Sequence, residues 1–557
     1  MTAEVTTEVT AAPRLSASQL EQRILDVLLG VRRMALRRNA TAQLWYTLGP
    51  LLVTALAALL RLPRLGSPET LVFDETYYVK AGYSMLELGY EGEWGEEPNA
   101  AFEVGDFSAL QEAADYVVHP PLGKWLIGWG MAADPTNPAL WRLSSALLGI
   151  AAVWILARVA IRLFGSVLWG TTAGFLMAID GHAIVHSRTG LLDNHLMFFV
   201  LAAFACLVLD RERTRRRIAS RAAALHAAAG HTVREDPDGV LRLSGVISGS
   251  LGRLGPRWWR WVAWLMLGCA VSVKWSGLYF AAVFGLLTVA WDLSARLQVR
   301  QRMAWVPAML RDGAGAFFTM VVAVAGVYLA SWIGWFRSDH GYRRHWAEAH
   351  PGEGLTWLPD SLRSLAEYHR SMWSFHHGLT SEHSYDAHPL GWLVQWRPTS
   401  FYWRRYELGE EGCDMSSCVD GISSIGNPVI WILGALALLG VVYFLFRDFD
   451  WRGAAVLSGI IGGWVPWLFY SERTIFSFYA IAFQPWLVLG LVYVLARIID
   501  GPFHLLPDRR RRREHFGWLA GLALVTFLVS MFFYPIWTAM RVPYWFWLIH
   551  IWLPTWA

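Results

Sequence analysis

The chain has 557 residues, of which 55% are hydrophobic, 14% aromatic and only 17% charged, and its mean hydropathy is +0.33. A water-soluble chain of this length carries about 25% charged residues, so a soluble globular protein is excluded and a polytopic membrane protein is indicated. The net charge of +4 decides little; where the charges fall decides more.

A helix needs about 20 apolar residues to cross a ~30 Å hydrocarbon core. In chain order, stretches of this kind lie at 44–62, 141–163, 167–186, 190–209, 261–274, 276–292, 313–335, 428–446, 454–470, 475–497 and 517–534. The first has the length and flanks of a retained span, not a cleaved signal. About eleven spans put the termini on opposite sides. Residues 1–43 form a tail with six arginines, the loop 210–260 has eleven against five acids, and 498–516 contains the run Arg509–Arg513. The alternate loops are acidic, with thirteen acids against three Lys/Arg in 63–139 and twelve against eight in 337–427. Positive charge marks the cytoplasmic side. The expectation is therefore a cytoplasmic N-terminus, two large exoplasmic loops, and an exoplasmic C-terminal segment, 535–557. Loop 210–260 reads as a cytoplasmic linker with a short helix.

Cys206 and Cys269 fall within spans and read as packing residues. Cys413 and Cys418 are close together in an outer loop, which favours a local disulfide in an oxidising compartment. The outer loops mix Trp, Tyr, His, Pro and charged residues, and 337–427 holds eight of the seventeen histidines. Such loops suit a small cap of interfacial helices over the spans.

Five motifs lie at this outer face. "FDETYY" (73–78) carries Asp74 and Glu75, of which Asp74 alone also reads as a helix cap. "VHPPLGKW" (118–125) carries His119 and, in the first turn after the prolines, Lys124. "SRTGLLDNH" (187–195) carries Arg188 and Asp193, "SVKWSGLYF" (272–280) carries Lys274 and Trp275, and "SERTIFSFY" (471–479) carries Glu472 and Arg473. Any one of these cations reads as an interface anchor. Lys124, Arg188, Lys274 and Arg473 together, at one depth on the side poor in cations, suit an anionic lipid headgroup such as a phosphate. A carboxylate opposite such a cluster points to sugar transfer from a lipid phosphate, in which a base takes the hydroxyl proton and cations stabilise the departing phosphate. The chain has no phosphate-binding loop or dinucleotide fingerprint, and nothing in it points to nucleic acid.

These motifs resemble the protein O-mannosyltransferase family of the GT-C architecture. The resemblance rests on "FDE" (73–75), "HPPLGK" (119–124), Arg188 with "LLD" ending at Asp193, "VKWSGL" (273–278) and "PYWFWLIHIWLP" (543–554). It implies an all-α polytopic fold that transfers mannose, with inversion, from polyprenyl-phosphate-mannose to Ser/Thr hydroxyls of exported proteins. It makes Asp74 the general base, Glu75 its neighbour in the catalytic pair, and Arg188 a functionally important arginine. Lys274 and Arg473 are assigned to the donor phosphate with Lys124, and His119, Asp193 and Trp275 support the motifs. The loop 337–427 is too short for the β-trefoil insert of eukaryotic members, so the chain resembles the bacterial form in the cell membrane. Its partners are then the bilayer, the lipid donor, exported acceptor proteins and the export translocon that delivers them. No cofactor or metal is assigned, and metal dependence stays open: His376, His377, His383 and His388 read as surface residues, with a metal cluster the alternative. The rival readings are another GT-C transferase, moving arabinose or aminoarabinose to a lipid or polysaccharide, and a transporter using Asp74 as an ion site. Transporters place charges at the midplane of broken helices and show repeat symmetry, which this sequence lacks.

Overall fold

A computed structural model describes residues 16–96, 98–252 and 254–556. Among the described residues seven helices are long and apolar enough to cross a membrane: Ala40–Arg61, Pro138–Phe164, Leu192–Ala228, Gly277–Gln298, Trp305–Ser331, Pro428–Asp448 and Arg509–Trp537. The other four expected spans are occupied by shorter or interrupted helices. Trp258–Val273 has 16 residues. Trp451–Gly463 gives way to a 3-10 turn, Val465–Phe469, and Gln484–Asp500 follows another, Ser477–Ala482. Expected span 167–186 divides at Asp180 into Val167–Ile179 and Gly181–Ser187. The Asp180 carboxylate causes that break: it accepts from Ala183 N at 3.3 Å, Asn427 N at 2.9 Å and the Trp431 indole at 3.1 Å. Interrupted backbone is tolerated at membrane depth where protein surrounds it, and Asp180 is fully buried.

At the end of the bundle with the basic segments, parts of the expected tail and linker are helical; residues 1–15 of that tail lie outside the described residues. Residues Ala17–Leu29 are helical from a Ser16/Gln19 capping box. The helix from Leu192 runs without a break to Ala228, so the first third of the 210–260 segment continues a spanning helix. Leu20, Ile24 and Leu28 pack against Ile218, Ala219 and Ala222 of that extension. This apolar stripe gives the N-terminal helix a partner.

At the opposite end the two large loops fold over the helices. Loop 63–139 contains the helices Glu75–Leu88 and Leu122–Met131 with the hairpin β1 (Gly92–Trp94) and β2 (Leu110–Ala114) between them. The two helices close up at glycines: a Cβ on Gly128 would stand 2.6 Å from the Gly82 carbonyl oxygen. A second hairpin, β3 (Val233–Glu235) with β4 (Leu241–Leu243), lies in the basic segment. Loop 337–427 supplies the amphipathic helix Asp360–Gly378, whose Leu365, Tyr368 and Met372 cover Trp332 and Trp335. It continues into β5 (Ser400–Glu407) and β6 (Ser417–Ser423). The Cys413–Cys418 disulfide closes that hairpin, and β7 (Val542–Pro543), from the C-terminal segment, pairs with β6. Among the described residues the helical fold thus carries three small antiparallel sheets that composition did not indicate.

Candidate active site

The adjacent carboxyls Asp74 and Glu75 enter different surroundings. Asp74 is the N-cap residue of its helix, yet its side chain makes no capping hydrogen bond, so the helix-cap reading does not describe its carboxyl. Burial pushes that carboxyl up to about 6; nearby Lys274 works against the rise, Asp193 adds to it, and the Tyr78 hydroxyl works against it. The preceding Phe73 is held at φ 48°, a left-handed conformation a bulky residue adopts only when its surroundings impose it. Its ring stacks on Phe401 at 4.9 Å and meets Phe478 edge-on at 5.4 Å.

Glu75 is fully buried. Its two oxygens take a bidentate grip from Arg142, both contacts at 2.8 Å, and further bonds from Gly190 N at 2.7 Å and Val72 N at 3.0 Å. A carboxylate with four such donors is a fixed anion that ties the first outer loop to the turn before Asp193.

The four predicted cations also separate. Lys124 is buried and turned to Glu91 Oε1 and the His119 carbonyl, each at 2.7 Å. Arg188 donates to the carbonyls of Arg61, Pro63 and Arg64 at 2.6–2.7 Å, holding the end of the first spanning helix. Neither lines the cavity beside the site. Of the four cations expected to gather, the structure thus brings two to this cavity, and long-range carbonyl and carboxylate partners set the direction of the other two.

Lys274 and Arg473 do line that cavity, together with His119, Asp193, Trp275 and His376. It has a volume of about 690 Å³. Lys274 Nζ pairs with Asp193 Oδ2 at 2.7 Å and sits 5.0 Å from the Tyr479 ring. The Arg473 guanidinium contacts His376 Nδ1 at 3.1 Å, while its buried Nε has no partner among the described residues. His376 Nε2 meets the Val118 carbonyl at 2.7 Å, and its ring lies 5.2 Å from that of His119. Trp275 donates to Tyr328 at 2.9 Å and stacks on His369. Burial, and then the neighbouring Lys274, His376, Lys124 and Arg473, hold His119 well below its ordinary value. Burial and Arg473 bring His376 down to about 4. Both imidazoles are neutral at pH 7, so the positive charge in the cavity stays on Lys274 and Arg473.

The remaining wall is apolar, with Leu196, Leu278, Phe280 and Trp467 among its residues. Gly463 packs against Phe280 in this wall: a Cβ there would stand 2.7 Å from the ring. Sequence reasoning gave no role to Tyr78 and Tyr479, although both sit inside quoted motifs; His376, read there as a surface residue or a metal ligand, lines the cavity instead. His377 also lines the cavity, whereas His383 and His388 each accept from a nearby backbone amide and close local turns. Among the described residues no group of three or more His, Cys, Asp or Glu is placed to hold a metal ion.

A multi-pass helical bundle, two large loops closing over one end, and a cavity with an apolar wall and a cationic rim define a membrane-embedded glycosyltransferase of the GT-C class. Comparison with known proteins narrows the class. Family models for the C-terminal four TMM region of protein-O-mannosyltransferase and for dolichyl-phosphate-mannose-protein mannosyltransferase match residues 361–556 and 131–230. The polyprenol-phosphate-mannose–protein mannosyltransferase of Mycolicibacterium smegmatis is 33% identical over 515 residues, which cover 91% of this chain and 92% of that one. The enzyme of the same name from Corynebacterium glutamicum is 30% identical over 517 residues, 91% of each chain. The fold is similar to a solved Saccharomyces cerevisiae structure, the protein O-mannosyltransferase Pmt1-Pmt2 complex bound to the sugar donor, with TM-score 0.64, 14% identity and 95% of both chains covered. The chain belongs to the protein O-mannosyltransferase family.

Proposed function

We propose that the chain transfers mannose from polyprenyl-phosphate-mannose to Ser and Thr hydroxyls of exported proteins. The observation that carries this reading is the pairing of Lys274 and a partly unpartnered Arg473 on one cavity whose other wall is apolar. A lipid chain fits the apolar wall and its phosphate the cations. Cations at the departing phosphate stabilise the charge that develops in the transition state. The acceptor oxygen attacks C1 of the mannose from the face opposite the phosphate, and the C1–O bond breaks with its electron pair going to the phosphate, which inverts the anomeric centre. The hydroxyl proton passes to Asp74, whose raised pKa makes it a stronger base than an exposed aspartate while leaving it mostly ionised at pH 7.

In this scheme Asp193 holds Lys274 in place, His119 and His376 form a neutral wall, and Glu75 positions the loop bearing Asp74. Lys124 and Arg188 support the same loops from behind. The basic segments face the cytoplasm and the cavity opens on the outer face of a bacterial cell membrane, where exported chains arrive from the translocon still extended.

The test is mannosyl transfer by purified protein from polyprenyl-phosphate-mannose to a Ser/Thr-rich peptide. Lys274→Met and Arg473→Gln are expected to raise the donor KM and lower kcat while leaving the acceptor KM nearly unchanged. Consumption of a different donor, or transfer only to a lipid or polysaccharide, overturns the substrate assignment.

A further inference from the structure

Resting on the transferase reading, we propose that the free edge of β5 is the docking track for the acceptor, which adds to the sheet as an extended strand and brings one Ser or Thr beside Asp74. The three-stranded sheet has the order β5-β6-β7, and its two edges are built differently. β7 has two residues, one of them proline, and leads directly into the helix Tyr544–Leu548. That edge is blunted, as exposed edges usually are. β5 has eight residues and no proline. Trp403, Arg404 and Arg405 in its middle are exposed. Besides the ladder to β6, its backbone groups from Phe401 to Tyr406 take no backbone partner among the described residues. A long open edge invites pairing with another chain.

Its position gives that pairing a purpose. Phe401, near the start of β5, stacks on Phe73, the residue next to Asp74. The buried start of the strand therefore packs on the residue that precedes the proposed base, and its exposed part runs on from there over about 20 Å at ~3.3 Å per residue. Main-chain pairing reads an extended backbone with little regard to side chains. Arg404 is offset by Glu411 at 3.0 Å and Arg405 by Glu407 at 3.3 Å, so the track imposes little charge preference. The occupant that fits is an extended polypeptide of varied sequence with a hydroxyl residue at the Phe401 end.

The experiment uses the full chain in nanodiscs, polyprenyl-phosphate-mannose, and peptides with one central Thr and a single N-methylated amide at successive positions. Methylation at alternate amides on one flank of the Thr is expected to raise the acceptor KM about five- to tenfold; the intervening amides and the other flank are silent. The Arg405→Cys variant should form a disulfide with peptide cysteines at alternate positions on that same flank. Effects independent of position, with the unmodified peptide still mannosylated, overturn the strand-addition proposal. Pairing of Arg405→Cys with a second copy of the chain, not displaced by peptide, overturns it in favour of self-association. Failure to mannosylate any unmodified Ser/Thr peptide overturns the transferase reading itself.

Discussion

Replacing Asp74 by Asn separates the chemical role of this residue from its contribution to stability, because the two are expected to move in opposite directions. The folded-state pKa of about 6 lies above the usual 3.8, so the fold favours the protonated form. Ionised Asp74 is then a cost that is fully present above about pH 6 and gone below about pH 4. Two units at 1.36 kcal/mol each amount to about 3 kcal/mol at pH 7, and the carboxyl is buried enough that solvent screening removes little of it. Asn keeps the shape without the charge, so the variant should melt a few degrees above wild type at pH 7, and the gap should close as the pH falls toward 4. Turnover should drop by about 10²–10⁴ with the base removed, while donor binding persists. In wild type the acid limb of kcat/KM should be half-maximal near pH 6. Mannosyl transfer to a peptide and thermal unfolding in detergent, both run from pH 4 to 8, measure these quantities. Retained turnover, an acid limb near pH 4, or a variant less stable than wild type at pH 7 would refute the reasoning.

Glu75→Gln leaves Arg142 as a buried cation without its counter-ion, a loss of about 3–5 kcal/mol that should appear as a lowered melting temperature; a stability equal to wild type would contradict the positioning role. Arg188→Ala removes the donor to three carbonyls, that of buried Arg61 among them, and should reduce stability and kcat with the donor KM unchanged, whereas a selective rise in donor KM would return Arg188 to the phosphate. Gly463→Val drives a branched side chain toward the Phe280 and Phe483 side chains. It should raise the KM of a long polyprenyl donor more than that of a short-chain donor, and equal effects on both would place the lipid elsewhere.

Composition alone determined the membrane class, because a chain with this few charges cannot cover a soluble surface. The motifs "FDE" and "HPPLGK" carried the family resemblance, since chemistry at a helix start needs particular residues at short spacing. Span positions were legible for the long, uniformly apolar helices. They blurred where Asp180 draws donors from residues as distant as Gln484, a partner that no local window contains. The division of labour between Asp74 and Glu75 belonged to the tertiary structure: successive residues of a helix point about 100° apart, so neighbours in sequence face different partners. The same holds for the cations. The motifs around Arg188, Lys124, Lys274 and Arg473 were legible in the sequence, but the direction each side chain takes was not. Arg188 found three carbonyls more than 120 residues away, and Arg473 found His376, which itself bonds a carbonyl 258 residues distant. Short-range spacing encodes which groups are present at the membrane face. Packing between remote segments decides which of them stay unpaired and open to a ligand, because a buried charge is directed by whatever partner the fold brings to it.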